Sequence, residues 1–270
     1  MSNVTDTTAV EMQPTGASVV PTVVQGVPVV SGAPVDGNPL MQVNGVFIKQ
    51  VFEMAELCGC EMPNRYQVFP IGTDGRTEMP GTQPFLYLKE QQKGLCSFLY
   101  KQLCGPCRSL KVNVHQGYAP LQTNVSHEIH KTCGISTCSC CRAETTLVGG
   151  GQSPVVIEDK DSACCLQPLC CGGVKLAAHG MQIQGGCIGC GICPCGNYPL
   201  KVTGSNGGEG QLTKVAAGCM EFLTGLNKYA VVFPPEATAE QRLTLIAAAI
   251  HLDLNYFEQK KSNNYPVGAP

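Results

Sequence analysis

The chain of 270 residues contains no tryptophan, only 14% charged residues and no excess of either charge. With 18 basic residues against 20 acidic ones, net charge favours neither a nucleic acid nor an anionic surface as partner. No basic segment followed by an apolar one begins the chain, so we expect no secretory signal and a reducing compartment. The glycine-rich stretch Gly149–Ser153 lacks the Gly-Lys-Ser/Thr ending of a phosphate loop, and no histidine is spaced to activate a cysteine nucleophile.

Glycine, proline and cysteine are abundant instead, with 31, 19 and 18 residues. The first two, with so few charges, indicate a β protein rich in turns. In a reducing compartment the thiols are free, bound to metal or lipidated. Residues 1–43 are rich in proline, glycine and valine without helical or strand periodicity, which predicts a disordered arm, a spacer or a partner-binding segment. We predict a main domain over 44–259 and a short polar tail over 260–270.

Short apolar or alternating runs separated by turn residues follow from Asn44 onward. The clearest is Leu110–Val114, in which apolar residues alternate with Lys111 and Asn113. His179-Gly180 predicts a tight hairpin turn. The remaining predicted strands are 46–52, 66–71, 85–89, 145–148, 155–157, 174–178, 181–183, 200–203, 211–215 and 229–233. The pattern therefore predicts ten to twelve strands.

One segment near the C-terminus, Thr238–Phe257, is apolar on every side of a helix. Leu243, Ile246, Ile250, Leu254 and Phe257 lie on one face; Leu245, Ala249, Leu252 and Tyr256 lie on the opposite face. Thr238 and Gln241 form a capping-box pattern at its start. A bilayer span needs about 20 apolar residues, and this run is shorter and contains His251 and Asp253, so we predict a buried core helix. A closed sheet has an apolar lumen that must be filled, and such a helix fits it.

Several blocks of the chain, in this order, resemble the phospholipid scramblase family. They are GVFIKQ at Gly45–Gln50, ELCGCE at Glu56–Glu61, NRYQVF at Asn64–Phe69, LCGPCRSLKVNV at Leu103–Val114, TCSCC at Thr137–Cys141, CIGCGICPCG at Cys187–Gly196 and the closing segment Phe233–Glu258. The resemblance implies a tubby-like barrel of twelve strands around a C-terminal helix. It also implies calcium-stimulated, ATP-independent movement of phospholipids between leaflets, an activity without bond chemistry. The expected partner is a phospholipid membrane, and the expected location is the cytoplasmic face of the plasma membrane.

The family's first cysteine cluster is palmitoylated, which the resemblance carries over to Cys138, Cys140 and Cys141, with Cys133 as a looser candidate. Stable anchoring takes more than one acyl chain. The second cluster, Cys187, Cys190, Cys193 and Cys195, leaves three readings open. Its thiols are structural, acylated, or ligands of zinc or an iron–sulfur cluster.

Calcium is where the chain departs most from the family. Its proposed calcium loop is rich in aspartate, but the matching residues here are Gly225 and Asn227, followed by Lys228, with only Glu236 acidic nearby. Hard cations need several oxygen ligands, so we predict weak or absent calcium binding through Asn227 and Glu236. The short basic import motif of some relatives keeps Lys214 as its only cation, which argues against nuclear entry. Two alternatives to scrambling stay open: a membrane adaptor that binds lipid or a partner, and a cysteine-rich metal protein.

Overall fold

The computed structural model describes residues 38–51, 62–91, 108–117, 125–134, 143–160, 173–186, 196–216, 218 and 226–257. The strands are β1 (Gly45–Gln50), β2 (Arg65–Pro70), β3 (Leu86–Glu90), β4 (Leu110–Gln116), β5 (Val125–Lys131), β6 (Thr145–Gly149), β7 (Val155–Asp159), β8 (Lys175–Ala178), β9 (Met181–Gly185), β10 (Tyr198–Thr203), β11 (Glu209–Lys214) and β12 (Lys228–Val232). Each pairs antiparallel with its sequence neighbours, and β1 closes the barrel against β12. The predicted closed barrel of about twelve strands around a C-terminal helix is confirmed.

Every second side chain of a strand points into the barrel, because successive side chains of a strand point to opposite faces of the sheet. In β4 the side chains of Leu110, Val112 and Val114 are buried in the core, whereas Lys111 and Asn113 lie on the outer wall. The predicted hairpin turn also forms, with His179 and Gly180 both at positive φ between β8 and β9. The buried apolar residues of the strands therefore share one lumen.

Strand β5 is absent from the sequence-based prediction. Its sequence, VSHEIHK, carries five polar residues, and only Ile129 is a fully buried apolar side chain. Neither alternation nor an apolar run therefore marks it as a strand. Pairing with β4 and β6 on both sides holds it in the sheet, with a register shift between Val114 and His115 in the β4–β5 ladder.

The C-terminal helix runs through the barrel. Helix α1 (Ala239–Leu252) continues into a π-helical turn, Asp253–Phe257, and begins with the predicted capping box of Thr238 and Gln241. Every residue from 241 to 257 is buried. At about 1.5 Å per residue, α1 is about 21 Å long, comparable to strands of five to seven residues at about 3.3 Å each. Among the described ranges, no helix has both the length and the apolar character needed to cross a membrane.

We define the upper end of the barrel as the end where helix α1 begins and the lower end as the end where it finishes. At the upper end, α1 begins, and Gln241 donates hydrogen bonds to His179 O and Ser205 Oγ. At the lower end, α1 finishes, and Asp253 accepts a hydrogen bond from Tyr66 at the start of β2. Since the strands alternate in direction, connections after odd-numbered strands lie at the lower end and those after even-numbered strands at the upper end.

The barrel belongs to a compact unit, Pro34–Pro270. Of the predicted arm 1–43, only the last residues are described, and they include the short 3-10 helix Pro39–Gln42 with the buried Leu40. The predicted tail 260–270 lies outside the described residues. The domain boundaries stay predictions.

Candidate functional site

The predicted core residues of the helix lie together in the lumen. Leu243, Ile246, Ile250, Leu254 and Phe257 all belong to the single hydrophobic core that also contains the inward residues of the strands. Phe257 lies edge-on to the ring of Tyr198, with 6.1 Å between the ring centroids. Burial of this apolar surface, at about 25 cal/mol per Å², is the main force that keeps the helix inside the barrel.

A buried carboxylate closes the lower end. Asp253 is 1% exposed, and its Oδ2 accepts a hydrogen bond from Tyr66 Oη at 2.5 Å. Its Oδ1 accepts from Tyr229 Oη at 2.9 Å and from Asn227 Nδ2 at 2.5 Å. Buried polar groups cost free energy unless they are hydrogen-bonded, and these three donors come from β2, β12 and the residue just before β12. Asp253 therefore ties the end of the helix to β2 and β12, the two strands that pair with β1.

The network continues around the lower end through side chains. The backbone N–H of Asn227 donates to Gln50 Oε1, and Gln50 Nε2 donates to Asn64 Oδ1. Asn64 N donates to Glu90 Oε2, and Glu90 forms an ion pair of 3.3 Å with the buried guanidinium of Arg108. Five residues from the ends of β1, β2, β3, β4 and β12 are thus joined. A buried polar network in which every group has a partner specifies one arrangement of the strand ends and adds little to the net free energy of folding.

A second buried polar cluster lies at the same end, between the helix and the lower ends of β6 and β7. His251 Nδ1 is 2.8 Å from Thr145 Oγ1, and His251 Nε2 is 3.6 Å from Asp159 Oδ1, which also accepts a hydrogen bond from Tyr256 Oη. A hydroxyl, an imidazole and a carboxylate in this order resemble the groups of a nucleophilic triad. Both Thr145 and His251 are 0% exposed, so the hydroxyl faces packed side chains and not solvent. We assign the cluster to holding the helix in its rotational position.

At the upper end the buried cation is Arg242, the counterpart of Asp253 at the lower end. The guanidinium of Arg242 donates to three backbone carbonyls, those of Leu40, Val43 and Ala237, and packs over the ring of Phe233. Burial lowers the pKa of Arg242 from its ordinary value, since desolvation disfavours the charged form. The three carbonyls join the segment before β1 to the start of α1, so this arginine fixes where the chain enters the barrel.

The predicted lipidation cysteines belong to one connection. Cys133 lies two residues after β5, and its thiol is free and exposed. Cys138, Cys140 and Cys141 lie outside the described residues, in the same connection between β5 and β6. This connection leaves from and returns to the lower end of the barrel.

The alternative metal ligands Cys187, Cys190, Cys193 and Cys195 also lie outside the described residues. They are in the connection between β9 and β10, which again begins and ends at the lower end. In the part of the chain that is described, no three His, Cys, Asp or Glu side chains form a group able to hold a metal ion. The zinc and iron–sulfur interpretations stay predictions.

The two residues named for calcium lie at opposite ends of the barrel. Asn227 directly precedes β12 at the lower end and donates to Asp253, whereas Glu236 follows β12 at the upper end. The five residues of β12 separate them by roughly 17 Å at about 3.3 Å per residue, far beyond the ~2.4 Å at which a calcium ion is bound. The carboxylate of Glu236 is placed against the backbone of Gly204 and Gly208 instead. The structure does not bring this pair together.

Sequence reasoning did not find the buried polar residues at the two ends. His251 and Asp253 were noticed only as residues unfavourable in a membrane, and Arg242 was not noticed. A charged residue inside an otherwise apolar helix is a usable signal, because it must have hydrogen-bonding partners when buried. The identity of those partners depends on strand register, which sequence alone did not give.

A closed twelve-stranded barrel plugged by its own C-terminal helix, with cysteine-rich connections at one end, defines a class of helix-filled β-barrel proteins. Within that class, the family model described as "Scramblase" matches residues 25–259, and the chain belongs to the scramblase family. Among curated proteins it is similar to phospholipid scramblase 1 of Homo sapiens, with 22% identity over 231 residues, which is 85% of this chain and 68% of the human protein. No solved structure matches the chain.

Proposed function

We propose that this protein promotes ATP-independent, bidirectional movement of phospholipids between membrane leaflets. Acylated cysteines hold it on the cytoplasmic face of a membrane, and the expected membrane is the plasma membrane. The observation that carries the proposal is the match of the scramblase family over residues 25–259, most of the chain. The similarity to a protein named phospholipid scramblase 1 supports the substrate class.

Attachment is assigned to Cys138, Cys140 and Cys141, with Cys133 as a further acceptor. Each buried methylene contributes about 0.8 kcal/mol, and two or more acyl chains make membrane binding stable. The exposure of the free Cys133 thiol supports access of an acylating enzyme to this connection.

Calcium is proposed to have little effect through Asn227 and Glu236. The side-chain amide of Asn227 already donates a hydrogen bond to Asp253, and Glu236 lies at the other end of the barrel. Protein partners that bind the N-terminal arm, residues 1–43, are a further part of the proposal, and nucleic acid is not among the proposed partners.

A second function is favoured by one observation. Helix α1 fills the lumen, with Leu245, Ile246 and Ile250 all 0% exposed, so the barrel interior formed by the described strands offers no path for a lipid head group. A membrane adaptor that binds lipid or a partner without moving lipid would have the same architecture. A cysteine-held metal protein is the third candidate.

Purified full-length protein in vesicles that contain a fluorescent phospholipid tests these functions. After dithionite addition, we expect faster loss of inner-leaflet fluorescence than in protein-free vesicles, with the same rate in calcium and in chelator. No acceleration would contradict scrambling and favour the adaptor, whereas dependence on calcium that disappears in Asn227→Ala/Glu236→Ala would contradict the calcium proposal.

The anchor is tested by replacing Cys138, Cys140 and Cys141 with serine and measuring hydroxylamine-sensitive mass and membrane association in cells. The matched control replaces Cys164, Cys165 and Cys170, which removes the same number of thiols. We expect loss of acyl mass and of membrane association in the first protein only. Stoichiometric zinc or iron by elemental analysis, lost on replacing Cys187 and Cys190, would favour the metal protein.

A further inference from the structure

The cysteines are distributed over the barrel connections in a single pattern. All eighteen lie in the connections after odd-numbered strands, and these all begin and end at the lower end. They are Cys58 and Cys60 after β1; Cys96, Cys104 and Cys107 after β3; Cys133, Cys138, Cys140 and Cys141 after β5; Cys164, Cys165, Cys170 and Cys171 after β7; Cys187, Cys190, Cys193 and Cys195 after β9; and Cys219 after β11.

The upper connections differ in composition. They cover residues 71–85, 117–124, 150–154, 179–180 and 204–208, and they contain glycine, serine, threonine and proline but no cysteine. Three of them are turns of five residues or fewer. Only the lower end therefore offers thiols for modification.

Chain geometry keeps the exposed thiol of Cys133 close to the lower end. Consecutive residues span at most about 3.6 Å each. Cys133 follows Lys131, the last residue of β5, by two positions. It therefore stays within about 7 Å of that strand end, whereas the barrel is about 20 Å tall.

The two ends of the barrel also differ in charge, and the lower end is the more basic one. Strand ends at the lower end carry a ring of basic residues on or near the barrel mouth: Arg65, Lys89, Lys111, Lys160, Lys175, Lys214 and Lys228. The acidic residues with solvent access near this end are Glu128, Glu144 and Glu158, and the connections add three basic and five acidic residues. At the upper end, the acidic residues with solvent access are Asp74, Glu78, Glu209, Glu236 and Glu240, and three basic residues oppose them: Arg76, and Lys49 and Lys201 through ion pairs with Glu78 and Glu209. An anionic leaflet would attract the first end and repel the second.

We propose that the lower end is the face of the barrel that meets the lipid bilayer, so that the upper end points away from it. This proposal rests on the proposed membrane attachment and extends it to the orientation of the barrel. Because every thiol leaves from the same end, any combination of acylated cysteines turns that end toward the acyl chains, and the basic ring then lies at head-group level.

The absence of tryptophan makes a direct test available. Two exposed glutamines serve as matched probe positions: Gln184 near the lower end of β9, and Gln152 in the upper turn between β6 and β7. Full-length Gln184→Trp and Gln152→Trp proteins would be purified from eukaryotic cells that acylate them. Each would be bound to vesicles of phosphatidylcholine and phosphatidylserine, with or without bromine on the acyl chains, and checked by flotation.

We expect bromolipid to quench the fluorescence of the Gln184→Trp protein, with a blue shift on binding, and to leave that of the Gln152→Trp protein unchanged. Hydroxylamine, which removes thioester-linked chains, should abolish the difference. Quenching in the Gln152→Trp protein only, in both proteins, or in neither while both float, would overturn the orientation and leave membrane attachment standing. Failure of the acylated proteins to float would overturn attachment itself and the orientation with it.

Discussion

The two ends of the barrel hold the same helix by opposite chemistry. At the lower end a buried acceptor, Asp253, collects donors from three positions of the wall, and at the upper end a buried donor, Arg242, collects three backbone carbonyls. The upper connections are mostly short and rich in glycine, whereas the lower ones are long and contain all the cysteines. The comparison indicates that both ends hold the helix, and that only the connections of the lower end add thiols to this task.

The largest effect is expected at Asp253. Asp253→Ala leaves the hydroxyls of Tyr66 and Tyr229 and the amide of Asn227 buried without their acceptor, each unsatisfied group costing about 1–3 kcal/mol. We expect the free energy of unfolding to fall by about 3–5 kcal/mol, measured by urea denaturation.

The matched control is Asp74 in an upper connection, which also accepts three hydrogen bonds, from the backbone of Arg76 and Thr77 and from Thr77 Oγ1, but is exposed to water. Asp74→Ala should cost no more than about 1 kcal/mol because water replaces the lost partners. Equal losses at the two aspartates would mean that burial does not distinguish the ends.

Two glycines, one at each end, differ in the room that a side chain would have beside the backbone. Gly173, just before β8 at the lower end, has φ +65°, and a Cβ there would lie 2.1 Å from Gly185 O. Gly180, in the upper turn, has φ +77°, and its nearest neighbour would be Ser205 Cβ at 3.4 Å. Gly180→Ala should therefore cost only the strain of a left-handed alanine, about 1 kcal/mol, and Gly173→Ala about 2–3 kcal/mol because the backbone must also move. The urea midpoints of the two variants give the comparison, and a larger loss at Gly180 would contradict it.

Much of the fold was predictable because its signals are local. The alternation in Leu110–Val114, the capping box of Thr238 and Gln241 and the all-round apolar helix each follow from spacing alone. The polar strand β5 was missed because what holds it is pairing on both sides, which is not local. The clustering of cysteines at one end was likewise hidden, because it is a property of strand direction and becomes visible only when the order of strands in the barrel is known.

The smallest effect is expected on the outer wall, between the two ends. The hydrogen bond from His130 Nε2, at 2.6 Å, lowers the pKa of Glu128 from its ordinary 4.5, with a further contribution from Lys111. A carboxylate with a lowered pKa stabilises the fold fully above its unfolded pKa and loses that contribution as the pH falls through the folded value.

Glu128→Gln should therefore lower the free energy of unfolding at pH 7 by less than about 1 kcal/mol, since the group is partly exposed. The difference from the unaltered protein should shrink as the pH falls below the ordinary pKa of 4.5 and vanish once the folded carboxyl group is protonated. His130→Asn, which removes the main donor, should reproduce most of the loss, and the two changes together should cost less than their sum. Strict additivity in urea denaturation at pH 7 would show that the contact between His130 and Glu128 contributes nothing specific to stability, unlike the contacts of Asp253 at the lower end.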